Sequence, residues 1–223
     1  MQEPSITLVT GANGNLGRAV VQHLESSGLR VARVESGKLF IDAAALAEID
    51  LGDPTSVRRA FGALVETGVS LAAIVHTVGV FRSGHSLPET PDADFVELFQ
   101  TNVMTTVHVI QAALPLMLRA QRGRIAVVAS LDALAGRARV AAYGASKAAQ
   151  LRVIESAAQE LRGSGITINA VLPSTMDTPQ NRAALPDADP RQWVSPSEVA
   201  STLAFLVSDA ASRIHGQAIR VER

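Results

Sequence analysis

Residues 6–34 constrain the fold more than any other stretch. Residues 6–10 are a short β-rich run, and Gly11-Ala12-Asn13-Gly14-Asn15-Leu16-Gly17 follows at once. Apolar residues then recur at Leu16, Ala19, Val20 and Leu24, the spacing of one helix face, with Gly28 placed as a C-cap. Residues 29–34 read as a second strand. Strand, glycine-rich turn, helix and strand make a βαβ unit, and a parallel pair closed by a crossover commits the chain to a layered α/β fold. The glycines let the backbone turn sharply and approach a pyrophosphate at the helix N-terminus, where the helix dipole favours anions. Glu35 ends the second strand, where a carboxylate can bind the ribose hydroxyls of NAD and repel the 2′-phosphate of NADP. That favours NAD(H). Arg33 and Lys38 stand close enough in sequence to leave NADP(H) open.

The alternation continues to the end of the chain. A third strand is expected around residues 47–51, which leaves too little chain after Glu35 for a full helix before it. Asp53-Pro54-Thr55 starts a helix with Asp as cap and Pro at the first position. Residues 71–77 form an apolar strand closed by Val78-Gly79. Thr90-Pro91-Asp92 opens a helix whose stripe, Phe95, Phe99, Val103, Val107, Ile110, Leu114 and Met117, suits core and subunit interface; Asn102 interrupts it. Residues 124–129 and 166–172 are further strands. Residues 174–195, proline-rich and aperiodic, read as a substrate lid holding Trp193, the only tryptophan. Ser195-Pro196-Ser197-Glu198 is a capping box, and residues 218–221 form a last short strand. The expected fold is α/β: a Rossmann-type, doubly wound parallel sheet of about seven strands with helices on both faces, in one domain over residues 1–223. Ligands bind such sheets at the carboxyl ends of the strands, so residues 11–17, Glu35, Asp50, Gly79, Ser130 and Pro173 should line one crevice.

Chemistry is expected at Tyr143-Gly144-Ala145-Ser146-Lys147. Tyr143 is the only tyrosine, and Lys147 falls one helical turn on, on the same face. A phenol, with a reference pKa of about 10, is a poor acid at neutral pH. A neighbouring ammonium favours the phenolate and makes the group a more useful proton donor and acceptor. Ser130, at the end of Ile125-Ala126-Val127-Val128-Ala129, offers a hydroxyl to hold the substrate oxygen.

Composition removes other classes. There is no cysteine, so thiolate chemistry and disulfides are out, and the five histidines, His23, His76, His85, His108 and His215, are scattered without metal-ligand spacing. No metal is expected. A formal net charge of −1 with no basic cluster argues against nucleic acid. No apolar run is read as spanning a bilayer, and residues 1–5 lack the basic and apolar regions of a signal peptide, so a cytoplasmic protein is expected.

Taken in order, the glycine turn, Asp50-Leu51, Asn102, Ser130, Tyr143-x-x-x-Lys147, Pro173-Ser174-Thr175-Met176-Asp177-Thr178 and Ser208-Asp209-Ala210-Ala211-Ser212…Gly216 resemble the short-chain dehydrogenase/reductase family over essentially the whole chain. The resemblance implies an NAD(P)-dependent oxidoreductase moving a hydride between nicotinamide and a carbonyl or alcohol. By the same likeness Tyr143 is the acid/base, Lys147 lowers its pKa and binds the nicotinamide ribose, and Ser130 orients the substrate oxygen. Asn102 holds a water linked to Lys147. Asp50 contacts adenine, with Leu51, Val78 and Gly79 nearby, and Thr178 with the backbone near Ser174 and Met176 meets the carboxamide and phosphates. A small-molecule substrate and a homodimer or homotetramer built on the helices of Asn102 and Tyr143 are implied too.

Three positions depart from the family's pattern: Asn15 in place of the second glycine, Thr77-Val78-Gly79 after the fourth strand, and Ser174 after Pro173. The segment 171–193 and the short stretch from Glu35 to Asp50 resemble dihydropteridine reductases, which reduce quinonoid dihydropterins with NADH and typically lack the serine; Ser130 favours a carbonyl or alcohol. A non-catalytic NAD(P)-binding regulatory module is the reading from a different class, against which the full Ser/Tyr/Lys/Asn set stands.

Overall fold

A computed structural model describes residues 5–223; residues 1–4, on which much of the N-terminal expectation rests, lie outside the described residues. One eight-stranded sheet runs in the order β4-β3-β2-β1-β5-β6-β7-β8. Its strands are β1 (Ser5–Thr10), β2 (Val31–Glu35), β3 (Lys38–Ile41), β4 (Ala44–Glu48), β5 (Ser70–His76), β6 (Gly123–Val128), β7 (Ile166–Pro173) and β8 (Ala218–Val221). From β2 to β8 neighbouring strands pair in parallel, whereas β2-β3 and β3-β4 are antiparallel. The central strands β6 and β7 are buried along their whole length, and their apolar runs supply both faces.

The expected parallel third strand is therefore corrected to two short antiparallel strands, and the sheet gains one. Glu35 to Asp50 is too short for a crossover helix, so the chain doubles back. The tight turns at Ser36-Gly37 and Asp42-Ala43 hold all four residues at positive φ, between 50° and 75°, which matches the twist of a two-residue hairpin. After two reversals β4 runs with β2 again, so Asp50 still reaches the carboxyl edge.

Helices α1 (Asn15–Ser26) and α7 (Pro196–Leu206) cover one face through Leu16, Val20, Leu24, Val199 and Leu203. Helix α2 (Pro54–Glu66) covers the other, capped by the Asp53 carboxylate on the N–H groups of Thr55 and Ser56. Beside it lies a continuous helical rod: α3 (Asp92–Leu98), a π-helical segment (Phe99–Met104) and α4 (Thr105–Ala120). Helix α5 (Ala141–Glu160) completes that face. By length and composition Asp92–Ala120 is apolar enough to cross a membrane, a correction to the sequence reading; half of its most apolar window is buried inside the fold. Of the stripe expected for core and interface, Val103, Ile110 and Met117 are core, while Phe99 is exposed.

The expected lid is less irregular than its sequence. It contains α6 (Pro179–Ala184), capped by the Thr178 hydroxyl, and a single helical turn at Pro190–Gln192. Its end is pinned back by a bridge between Met176 and Val194, and Trp193 is buried at that base.

Candidate active site

The carboxyl ends of the strands carry two adjoining sets of groups. The first is a cradle. Gly11, Asn13, Glu35, Asp50, Leu51 and Val78 share the lining of one cavity of about 320 Å³ with Val34, Ser36, Gly37 and Ile49. Gly11 turns at φ 73°, and a Cβ on Gly17 would sit 2.0 Å from the Gly11 carbonyl oxygen, so only glycine lets α1 come this close to the turn. Gly14 is the N-cap of α1 and supplies no side-chain cap, which leaves the first N–H groups of the helix for a ligand. Arg18 braces the turn on the Asn13 carbonyl (2.8 Å) and the Asn15 side chain (3.0 Å). The Leu16 side chain is core, so of the expected contacts its own is limited to backbone.

Across the crevice, Asn15 donates to Gln180 on α6, and Ser174 holds a buried hydroxyl with no partner. Thr178 caps α6, and Met176 packs on the core with its carbonyl accepting from Asn181 at 2.8 Å. A cradle a Cβ would close, an uncapped helix N-terminus and an orphan hydroxyl together fit a dinucleotide. Lys38 is the cross-strand partner of Glu35, so the cation suspected from sequence does stand beside that carboxylate.

The second set contains the residues expected to carry chemistry. Ser130 sits in extended backbone at the end of β6, and its hydroxyl accepts from the Asp132 N–H at 3.2 Å. Burial pushes the Tyr143 phenol up to about 12; a hydrogen bond from Ser130 opposes this, Asp132 raises it further and Arg137 lowers it. Lys147 is 3% exposed, and burial pulls its ammonium down to about 7. Its Nζ donates to the Val128 carbonyl (3.1 Å) and to Gln150 Oε1 (2.9 Å). Its partners are thus two neutral oxygens, one on β6 and one on α5.

Asn102 lies in the π-helical segment, wholly buried. Its Oδ1 accepts from the Val80 N–H (2.8 Å), while its Nδ2 donates to the Val80 carbonyl (3.1 Å) and the Ser146 hydroxyl (2.9 Å). Its side chain is thus a clamp on the loop after β5. The clamp brings Gly79 in: a Cβ there would lie 3.1 Å from Lys147 Nζ and 3.2 Å from Asn102 Oδ1.

Sequence reasoning missed several residues here. Phe81 stacks edge-on against Tyr143, and Arg137 forms a two-pronged ion pair with Asp132 (2.9 and 3.0 Å) beside it. His76 is buried between Thr10 and Thr105, and Gln150 and Thr106 support Lys147. The available signals were spacing alone: Gln150 is one turn beyond Lys147, and Thr106 one turn beyond Asn102. Among the described residues, no group of three or more His, Asp or Glu converges as a metal site would.

Residues 11–223 match the profile of the family described as enoyl-(acyl carrier protein) reductase. The chain belongs to the short-chain dehydrogenase/reductase family. Among its relatives, the 3-oxoacyl-[acyl-carrier-protein] reductase MabA of Mycobacterium tuberculosis is 31% identical, over 96% of this chain and 90% of that protein. A solved oxidoreductase of the short-chain dehydrogenase/reductase family from Burkholderia thailandensis is 28% identical, with a TM-score of 0.83 over 99% of this chain and 92% of the other. ElxO, solved with NADP bound, shares the fold at 22% identity, with a TM-score of 0.88 over 98% and 97% of the two chains. As a short-chain dehydrogenase/reductase the chain is an NAD(P)-dependent oxidoreductase, and a nicotinamide dinucleotide is its cofactor. The likeness of residues 171–193 to dihydropteridine reductases gains no support from these relatives.

Proposed function

We propose that this short-chain dehydrogenase/reductase reduces a small ketone or aldehyde, or oxidises the matching alcohol, with Tyr143 moving the proton. The observation that carries the reading is Ser130 paired with Tyr143, with Lys147 one turn on along α5 and packed against Gly79, at the same sheet edge as the cavity lined by Gly11, Asn13 and Glu35. When bound, dihydronicotinamide supplies the hydride. The chain supplies the rest. The Ser130 hydroxyl donates to the carbonyl oxygen, and the Tyr143 hydroxyl gives up its proton to that oxygen as the carbonyl carbon is reduced. A phenol pushed up to about 12 is protonated at neutral pH, the form that reduction requires. Lys147 offers its ammonium to the ribose, and Asn102 holds Val80 in the loop that walls the site. The name of the mycobacterial relative, a 3-oxoacyl reductase, supports a ketone substrate.

NAD(H) is the favoured cofactor, on the strength of Glu35 in the cavity wall. The remaining parts of the reading are one domain over the whole chain, a lid at residues 174–195, a cytoplasmic setting, and a homodimer or homotetramer covering exposed Val96 and Phe99. The test is oxidation of NADH and of NADPH with a panel of small ketones, aldehydes and a quinonoid dihydropterin. Turnover of carbonyls with NADH preferred supports the reading. Turnover of the pterin alone would overturn the carbonyl assignment.

A further inference from the structure

We infer that Gln150 is a positioning residue for Lys147: its amide, held from behind by Thr106, fixes the ammonium against the Val128 carbonyl and keeps it charged. The inference rests on the role given to Lys147 above.

An ammonium has three N–H donors, and burial makes each unmet one costly. Two of those on Lys147 end on neutral oxygens, the Val128 carbonyl and Gln150 Oε1, and among the described residues no carboxylate is paired with it. Gln150 is itself wholly buried on α5. With Oε1 turned to Lys147, its Nε2 needs an acceptor, and it finds the Thr106 hydroxyl at 2.8 Å. That hydroxyl donates in turn to the Asn102 carbonyl at 3.0 Å. Every link has one donor and one acceptor. A flipped amide would set its NH2 against the ammonium, so both ends fix the orientation. An aimed carbonyl dipole stabilises the charged form of its partner.

The groups facing Lys147 from the packed elements are few. His76 at the end of β5 is held neutral by burial, with Lys147 adding to the same effect. The Tyr143 phenol lies one turn back on α5. Strand β6 offers only the Val128 carbonyl, and the π-helical segment and α4 offer Asn102 and Thr106, all uncharged. Gln150 is thus the one side chain among the described residues whose acceptor stabilises the ammonium directly.

Lys38 and Lys147 are the only lysines in the sequence. Protein labelled with 13C-lysine therefore gives two side-chain signals, and exposed Lys38 serves as internal reference. The experiment follows the Lys147 Cε signal with pH in the free enzyme. Gln150→Leu is expected to lower its midpoint by about one pH unit, the size of a lost hydrogen bond to a charged group. Gln150→Glu, nearly the same shape, is expected to raise it. Thr106→Val, which unties the amide, moves it in the direction of Gln150→Leu while leaving Gln150 in place. Should Gln150→Leu fail to fold, the other two variants carry the test. Midpoints equal to the wild type in variants with native circular dichroism would overturn the inference. No substrate is needed, so the outcome is separable from the catalytic reading: a Lys147→Met enzyme with full turnover would strike only the latter.

Discussion

The Phe81 ring stands edge-on to the Tyr143 ring, with centroids 4.8 Å apart and planes at 84°. Phe81 lies in the loop after β5 and Tyr143 on α5, so this pair ties the loop clamped by Asn102 to the proposed proton donor. Edge-to-face pairs contribute about 0.5–1.5 kcal/mol beyond burial. Phe81→Ala should lower kcat roughly 2- to 10-fold by loosening the phenol. Dinucleotide affinity, measured by fluorescence titration, should stay unchanged, since Phe81 is not part of the cradle wall. A loss confined to affinity would place Phe81 in cofactor binding instead.

Two buried bases set how stability varies with pH. Burial lowers His76 to about 3, with Lys147 adding to the shift, whereas the unfolded chain holds this histidine near its ordinary 6.5. Between those values the unfolded state binds the extra proton, so stability falls as pH drops from about 6.5 towards 3, by at most about 1.4 kcal/mol per pH unit from this group. Lys147 acts likewise in a higher window. Its folded value is about 7 against 10.5, so its contribution rises with pH between those limits. Urea midpoints across pH check both. His76→Asn should flatten the acid slope and Lys147→Met the alkaline one; slopes unchanged in both variants would contradict the assignment.

Glu35 faces the cavity with Lys38 as its cross-strand partner. Glu35→Gln removes the carboxylate that would accept from ribose hydroxyls and repel a 2′-phosphate. A hydrogen bond to a charged group is worth about 1.5–3 kcal/mol, so preference for NADH over NADPH should drop about 10- to 100-fold. Ratios of kcat/KM for the two cofactors measure it. An unchanged ratio would mean that the ribose is held elsewhere.

Much of this architecture is written locally, and the exceptions have physical causes. The strand, glycine turn and helix at residues 5–26 could be read because period, cap and turn agree in one short window. The Ser195–Glu198 capping box formed as expected for the same reason. The β3-β4 hairpin could not be read, because its strands are four and five residues long and Asp42-Ala43 is a weak turn signal. Helix α6 hid behind prolines although Thr178-Pro179 is a sound cap. The proposed catalytic set stands in the sequence as residue types at fixed spacing. The partners of Lys147 were not: Gln150 is indistinguishable in sequence from a surface glutamine until α4 and α5 pack and bury it.

The most direct test of the account is single-turnover reduction by Tyr143→Phe at saturating NADH, with a carbonyl that the wild type turns over. Removal of a general acid costs about 10²- to 10⁴-fold. The account predicts a loss of about 10³-fold with dinucleotide affinity retained. Turnover within a few-fold of wild type would place the proton donor elsewhere and contradict it.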